Sequence, residues 1–274
     1  MEYDPIKRRL GKIFKRNTFS LKIFYSILNL LFLRTWYIHR EIKRFEKSKK
    51  SKSSLSVLDA GSGFGQYSWH IARKHNNWRV KAIDIKKDEI NECQYFFKKA
   101  GINNVAFEVQ DLTAYVKENA YDLILSVDVL EHILEDVKVM KSAYISLKED
   151  GVFLISTPSD QGGSDIHHEG DESFISEHVR DGYSIDDIAI KLKIAGFSEI
   201  RAMYSYGVFG SLSWRFSIKY PIKMLNLSKL FVAVLPLYYL ATYPFCYIMN
   251  HLDLLKQNNK GTGLIVAAYK KSQT

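Results

Sequence analysis

Hydrophobic positions follow two alternating patterns along most of the chain. Short, mostly apolar runs such as "LSVLDA" and "GVFLIST" predict buried strands, whereas apolar residues at every third or fourth position predict amphipathic helices. The predicted strands are 55–60, 78–85, 104–109, 121–127, 151–157, 198–206 and 263–271, and the predicted helices are 66–75, 88–101, 134–151 and 184–197. Apolar strands separated by helices indicate a parallel sheet covered on both faces. The pattern therefore predicts a doubly wound α/β fold with a mostly parallel, seven-stranded, Rossmann-like sheet.

Two largely apolar stretches lie outside this alternation of strands and amphipathic helices. Residues 19–45 predict one N-terminal amphipathic helix, and residues 230–249 form an uncharged run as long as a transmembrane helix. Pro236, Pro244 and several tyrosines interrupt that run, which favours helices at a membrane interface or over a lipid pocket. A true membrane span and ordinary core or dimer packing stay open. The predicted organisation is an arm and helix (1–52), a Rossmann-like core (53–207), an apolar insertion (208–261) and a last core strand (262–274).

The net charge of +9 is concentrated at the N-terminus. Residues 1–50 contain 14 Lys and Arg against 4 Asp and Glu, so the remaining residues together carry a net charge of −1. Such an arm attracts an anionic partner, either lipid headgroups or nucleic acid. The two cysteines form no disulfide framework and no zinc motif, which fits a reducing cytosol.

A glycine-rich loop follows the first predicted strand. Gly61, Gly63 and Gly65 form G-x-G-x-G, one residue shorter than the dinucleotide fingerprint, and Asp59 lies two residues before them. A carboxylate there favours a cationic ligand over a pyrophosphate. Asp84 ends the second strand, where an acid accepts hydrogen bonds from both hydroxyls of a ribose. Asp111 follows the third strand, where a carboxylate can accept from an adenine amine, with Leu112 beside the ring.

These motifs, with "DLILSVDVLEHI" and "LKEDGVFLISTP", resemble the class I S-adenosylmethionine-dependent methyltransferases, and most closely the type 11 group that includes ubiquinone-biosynthesis O-methyltransferases. The resemblance covers about residues 53–207 and 262–274. It implies S-adenosylmethionine as cofactor, with Asp59 near its ammonium, Asp84 on its ribose and Asp111 beside its adenine. A tight turn for the glycines and plain helix caps for Asp84 and Asp111 stay open. The implied cofactor-binding residues are Asp59, Ala60, Gly61, Gly63, Gly65, Asp84, Ile85, Asp111, Leu112 and Ser126.

The segment "SVDVLEHI" follows the fourth strand. It lacks the Asn/Asp-Pro-Pro-aromatic box of the related methyltransferases that act on nucleic-acid bases, so we expect no nucleic-acid partner despite the basic arm. Asp128, Glu131 and His132 are spaced to share one side of a helix. Some quinone-type relatives use acids in this segment for a divalent cation, but a cap with a structural acid–histidine pair is the favoured interpretation. We therefore expect no metal.

Histidines supply the candidate general base, because their pKa lies near neutrality. His178 and His132 are favoured over His167 and His168. A long polar segment after the fifth strand contains His167, His168 and His178. The alternative is a solvated loop whose histidines have no role.

The sequence thus predicts a methyltransferase that acts on a small lipophilic acceptor such as a quinone precursor, a polyketide or a lipid. We expect O-methylation by a peripheral protein at the cytoplasmic face of a membrane, while nitrogen and carbon acceptors and the oligomeric state stay open. The alternative function is a non-catalytic scaffold with the same fold that binds a membrane or a partner protein. An NAD-dependent reductase is disfavoured, because the Tyr-x-x-x-Lys at Tyr95 and Lys99 lies before the third strand.

Overall fold

The computed structural model describes residues 18–49, 54–162 and 179–271. Its centre is one seven-stranded sheet in the order β3-β2-β1-β4-β5-β7-β6. All neighbouring strands are parallel except β7, which runs antiparallel to β5 and β6. This arrangement confirms the predicted mostly parallel, doubly wound fold. The strands are β1 (Ser56–Ala60), β2 (Arg79–Asp84), β3 (Val105–Val109), β4 (Tyr121–Val127), β5 (Leu147–Pro158), β6 (Glu199–Ser205) and β7 (Gly263–Tyr269).

Helices cover both faces of the sheet, and each face has its own buried cluster of apolar side chains. Helix α6 begins and ends where the sequence predicts: the Ser184 hydroxyl accepts the Asp187 amide, and Gly196 ends the helix in the left-handed conformation. The α-helices are α1 (Thr18–Leu31), α2 (Leu33–Ser48), α3 (Gln66–Lys74), α4 (Lys87–Lys99), α5 (Asp136–Ser146), α6 (Ile185–Ala195), α7 (Val208–Trp214), α8 (Tyr220–Leu227) and α9 (Leu235–Leu255).

The prediction of one helix over 19–45 is wrong, because two helices meet at Phe32. This residue has an extended backbone (φ −92°, ψ 111°). Before it, Tyr25 packs in an aromatic cluster with Trp69 of α3; after it, Ile38 is buried in the cluster that covers the sheet. The two halves thus pack into different buried clusters on the same side of the sheet, and the extended residue between them redirects the chain from one cluster to the other.

The helix predicted over 134–151 is also too long. Helix α5 ends at Ser146 and β5 begins at Leu147, which pairs with Tyr121 of β4. Pairing with β4 and β7 decides this boundary, since tertiary contacts override the local helical pattern.

The insertion between β6 and β7 folds into α7, a π-helical turn (Arg215–Lys219), α8, a 3₁₀ turn (Lys229–Ala233) and α9. Helix α9 begins five residues later than the apolar run and extends beyond it, with Pro236 in its first turn and Pro244 inside. Among the described residues, no helix is long and apolar enough to cross a membrane.

One buried carboxylate connects the insertion to the core. The side chain of Asp253 is fully buried and accepts hydrogen bonds from the Tyr37 hydroxyl (2.8 Å) and from the amides of Tyr206 (3.1 Å) and Gly210 (3.0 Å). It therefore joins α2, the end of β6 and α7 at one point.

Candidate active site

The candidate site lies at the carboxyl ends of the parallel strands. The order of strands along the sheet reverses between β1 and β4, and ligands of open α/β sheets bind in the crevice at such a point. The loops that follow β1 to β5 all begin at this carboxyl edge of the sheet. The topology therefore brings the residues predicted in these loops to one edge.

The loop of residues 61–65, here called the glycine loop, turns sharply after β1. All three glycines have a positive φ (+81°, +48° and +71°), and the amides of Gly61 and Ser62 donate to the Ile83 carbonyl at 2.9 Å. A Cβ on Gly61 would lie 2.4 Å from Val129 of the loop after β4. Glycine is therefore required at position 61 by the turn and by a neighbouring loop. Close approach of a ligand to the loop stays a prediction.

Asp84 lies directly against the glycine loop. One carboxylate oxygen accepts the Gly63 amide at 2.9 Å, and the other accepts the Lys86 amide at 2.9 Å. The side chain is half-buried at the end of β2, and the next residue, Ile85, leaves 67% of its surface exposed. An acid fixed by two amides beside an open apolar side chain offers hydrogen-bond acceptors and a hydrophobic surface to one ligand.

Asp111 lies near Asp84, because Asp84 pairs in register with Val109 on the neighbouring strand. The exposed carboxylate accepts the amide and the hydroxyl of Thr113, both at 2.8 Å, and these bonds lower its pKa. These bonds close a local turn, and no described helix begins at Asp111 for it to cap. Leu112 is half-buried against the core cluster. A role at the adenine stays a prediction.

Asp59 is buried below the loop. Its carboxylate accepts the amide (3.1 Å) and the hydroxyl (2.6 Å) of Ser68 in α3, and burial raises its pKa to about 6. Its neighbour Ala60 is buried too. The described contacts of Asp59 are therefore structural, and the predicted role near a ligand ammonium is not tested.

Two buried hydroxyls at this edge have no hydrogen-bond partner within the described part of the chain. They belong to Ser62 in the glycine loop and to Ser126 at the end of β4, which was predicted to bind the cofactor. Because buried polar atoms in proteins are nearly always satisfied, such atoms suit a site that holds a polar ligand. These hydroxyls, with Asp84 and Ile85, fit the polar and aromatic parts of S-adenosylmethionine.

The residues after β4 do not share one helical side. Asp128 has a left-handed backbone (φ +53°) and pairs with Arg34, whereas Glu131 is buried and accepts the Thr157 hydroxyl at 3.1 Å. His132 ends a single 3₁₀ turn and is exposed. The suggested helical arrangement of these three residues is therefore wrong. No group of three acidic, histidine or cysteine residues in the described ranges could hold a metal ion.

His132 is the one candidate base whose position the structure describes. His167, His168 and His178 lie outside the described residues.

The junction of α1 and α2 covers the site, which sequence reasoning missed. Tyr25 bonds to the Phe64 carbonyl of the glycine loop. Arg34 pairs with Asp128, and its amide donates to the Tyr206 hydroxyl at 3.1 Å. Tyr206, at the end of β6, has the positive φ of +54° that is uncommon for such a residue. Arg34 therefore joins the ends of β4 and β6. The one sequence signal that could have identified it is a charged residue directly after an apolar run.

A cleft of about 690 Å³ lies beside Tyr206 at the ends of β5, β6 and β7. Its apolar wall comes from Val208 and Leu212 of α7, and its size is typical of a small-molecule site. The remaining lining residues are Gln161, Gly207, Ser211, Arg215, Lys260, Gly261 and Thr262.

Comparisons with known proteins agree with this geometry. A family described as "Methyltransferase domain" matches residues 51–185. The chain contains a methyltransferase domain. The match confirms the predicted methyltransferase family and its cofactor, S-adenosylmethionine, and the strand order confirms the predicted class I, Rossmann-like fold. The link to the type 11 group and to ubiquinone biosynthesis stays a prediction.

Relatives cover part of this methyltransferase chain. The probable (S)-tetrahydroprotoberberine N-methyltransferase 2 of Papaver bracteatum is 29% identical over 104 residues, which is 38% of this chain and 29% of that protein. Phosphoethanolamine N-methyltransferase 1 of Arabidopsis thaliana is 29% identical over 174 residues, 58% of this chain and 32% of that protein. The chain thus matches less than a third of the length of both.

Among solved structures, the phosphoethanolamine N-methyltransferase 2 of Haemonchus contortus in complex with S-adenosyl-L-methionine has a TM-score of 0.63 to this chain at 18% identity. The match covers 97% of this chain and 60% of that chain. At this identity the likeness shows the fold alone.

Proposed function

We propose that the protein transfers a methyl group from S-adenosylmethionine to a small lipophilic acceptor that binds in the cleft. The observation that carries the proposal is the contact between Asp84 and the glycine loop, at the sheet edge where such domains bind their cofactor. The cleft at the ends of β5 to β7 is continuous with the same edge, on the side away from β2 and β3. Cofactor and acceptor would then occupy neighbouring strand ends.

The residues around the glycine loop would hold the cofactor. Asp84 would accept hydrogen bonds from the two ribose hydroxyls, and Ile85 and Leu112 would contact the adenine. Asp111 would accept from the adenine amine through the carboxylate oxygen that Thr113 does not occupy. Ser126 would donate or accept one hydrogen bond. When bound, S-adenosylmethionine supplies a methyl group that its sulfonium has already activated, so the protein mainly aligns the acceptor and excludes water.

His132 would accept the proton of an acceptor hydroxyl at a ring nitrogen. The imidazole suits this task at neutral pH, and the residue follows β4 by only a few positions. His178 is the second candidate for the base.

A nitrogen acceptor is the second candidate chemistry, because the similar plant proteins are named as N-methyltransferases. An acceptor amine that is protonated must lose its proton before its lone pair can attack the methyl group, so His132 would serve such an amine as well as a hydroxyl. The apolar wall of Val208 and Leu212 favours a lipophilic molecule in both cases. A small-molecule acceptor at the cytoplasmic face of a membrane is therefore our proposal for the substrate.

Methyl-labelled S-adenosylmethionine, incubated with the full chain and a cellular lipid extract, tests the proposal. We expect the label in the organic phase, and mass spectrometry would identify the acceptor atom. The His132→Ala variant should lose single-turnover transfer, whereas His251→Ala, an exposed histidine of α9, should retain it. Failure of S-adenosylhomocysteine to bind the folded protein in calorimetry would refute the proposed function. Equal transfer by His132→Ala and wild type would refute only the base.

A further inference from the structure

Helix α9 is oriented with its apolar side outward. Its buried residues are Cys246, Asn250 and Asp253, of which two are polar. The opposite side carries an exposed series at intervals of three and four residues, here called the apolar stripe, which consists of Leu237, Leu240, Pro244, Ile248, Leu252 and Leu255. A surface helix of a globular protein normally has the reverse arrangement, with its apolar side in the core.

The stripe is strongly exposed. Leu237, Leu240 and Leu255 keep 69%, 75% and 83% of their surface accessible. Leu237 and Leu255 are separated by 18 residue steps, which span about 27 Å along an α-helix. Single exposed apolar residues are ordinary, whereas a continuous apolar surface marks an interaction site.

Helix α1 carries a second exposed series with the same spacing. It consists of Phe19, Ile23, Ile27 and Leu30, while Phe24 and Tyr25 are buried on the other side. The Tyr243 hydroxyl of α9 donates to the Leu30 carbonyl at 3.4 Å, and Trp36 packs on Tyr247 with ring centroids 5.3 Å apart. The two segments thus pack on each other, and the exposed series of α1 ends next to the stripe.

The charges around the stripe have one sign. Residues 208–261 contain a single acid, Asp253, and it is fully buried below the stripe. Lys223 in α8 and Lys229 in the 3₁₀ turn are exposed. The cations of this segment are Arg215, Lys219, Lys223, Lys229, Lys256 and Lys260. An insertion that combines an exposed apolar helix side with exposed cations and has no exposed acid complements an anionic lipid surface.

We propose that the apolar stripe and the exposed series of α1 dock on the surface of a bilayer that contains anionic lipids. The stripe enters the boundary between headgroups and acyl chains, and Lys223 and Lys229 contact the anionic headgroups. Val208, which lines the acceptor cleft and is 76% exposed, belongs to the same insertion. The inference builds on the proposed lipophilic acceptor, because docking here gives the cleft access to molecules dissolved in the bilayer.

A second copy of the chain is the competing occupant of this surface. A two-fold contact would bring the same cations of both copies to one interface, where like charges repel and disfavour association. A bilayer with anionic lipids neutralises them instead.

Vesicle flotation of the full chain tests the proposal. We expect the wild type to float with phosphatidylcholine vesicles that contain phosphatidylglycerol, to float less with phosphatidylcholine alone, and to dissociate at high salt. The double variant Leu237→Glu/Leu240→Glu should reduce the lipid partition coefficient more than tenfold. The matched control is Ile190→Glu/Ile194→Glu, which places the same charges on two exposed apolar residues of α6 (57% and 58% exposed) and should bind as wild type.

Charge variants measure the contribution of the lysines. Lys223→Gln/Lys229→Gln should reduce partition into anionic vesicles about thirtyfold and leave binding to neutral vesicles unchanged. Lys43→Gln/Lys141→Gln, which changes two exposed lysines outside the insertion, should have little effect.

Three results would overturn the docking surface. The first is a wild type that does not float with anionic vesicles at low salt. The second is an α6 control variant that loses as much vesicle binding as the stripe variant. The third is a stable dimer in sedimentation velocity that Leu237→Glu/Leu240→Glu dissociates, with no vesicle binding by wild type or variant. Calorimetry with S-adenosylhomocysteine on the same samples separates the two proposals. Intact cofactor binding without flotation refutes docking alone, and flotation without cofactor binding refutes the proposed function alone.

Discussion

The two halves of the carboxyl edge are built in different ways. In the half formed by β1 to β3, the Gly63 amide reaches Asp84 across 21 residues of sequence, and Thr113 bonds to Asp111 two residues away. In the half formed by β4 to β7, Arg34 pairs with Asp128 across 94 residues, and Tyr37 bonds to Asp253 across 216. We call these the cofactor half and the acceptor half. The difference implies that the acceptor half can be disrupted while the cofactor half persists.

The largest effect is expected from Asp253→Ala. The change removes the carboxylate that accepts from the Tyr206 and Gly210 amides and from the Tyr37 hydroxyl, and of these three donors only the hydroxyl keeps an acceptor, the main-chain carbonyl of residue 253. We expect the free energy of unfolding to fall by about 4 kcal/mol in urea titrations. Tyr37→Phe, which removes one of the three bonds, should cost about 1 kcal/mol.

Under native conditions the Asp253→Ala variant should still bind S-adenosylhomocysteine within about threefold of wild type, since the cofactor half does not use this carboxylate. A loss of cofactor affinity as large as the loss of acceptor methylation would mean that the two halves are not separable.

Asp84→Ala should produce the opposite pattern. It removes the acceptors for two ribose hydroxyls and for the Gly63 amide, so we expect affinity for S-adenosylhomocysteine to fall about thirtyfold, or about 2 kcal/mol, in calorimetry. Urea unfolding should change little, because Asp84 is only half-buried. Glu118→Ala, a change of an exposed acid in the loop before β4, is the control and should leave both unaffected. An unchanged dissociation constant for Asp84→Ala would remove this residue from the site.

Asp59 gives the cofactor half a pH dependence. Because burial raises its folded pKa to about 6, the native state favours the protonated carboxyl. This contribution to stability is complete below the unfolded pKa, near 4, and is lost as the pH rises through about 6. Relative to Asp59→Asn, which cannot ionise, the wild type should lose about 2 kcal/mol of stability between about pH 4.5 and about pH 8. A difference that stays constant with pH in thermal unfolding would show that Asp59 ionises as it does in solvent.

The smallest effect is expected from Arg34→Met, which removes the charge that joins the ends of β4 and β6. The pair with Asp128 is partly exposed, so we expect a loss of about 1 kcal/mol. Hydrogen exchange should increase in residues 206–212 and at the start of α2, while cofactor affinity stays unchanged. Arg44→Met, which breaks the pair between the exposed Arg44 and the buried Glu41 on the same helix, should not change exchange at residues 206–212.

The sequence predicted the sheet well, because the information that specifies its strands is local. Apolar runs marked every strand, and the start and end of α6 followed from Ser184 and Gly196. The glycine loop and Asp84 are also close in the chain, so one short motif and one strand end were enough to bring them together.

The features that the sequence did not predict depend on packing between residues far apart in the chain. The sequence missed the break at Phe32, since the residues around it form one apolar pattern and only the two separate buried clusters that the halves join require a bend. It also missed Arg34 and Tyr206, because residues of one site that lie 172 positions apart leave no shared pattern.

Helix α9 shows most directly what the sequence determines and what only the tertiary structure determines. The uncharged run near residues 230–249 determined that a helix would form and that it would need an apolar environment. The tertiary structure alone decided which side of that helix is buried, because the Asp253 carboxylate satisfies three donors from α2, β6 and α7. Satisfying those buried polar groups holds the polar side of α9 against the core. The leucine side therefore remains at the surface, although hydrophobicity by itself would have placed it inside.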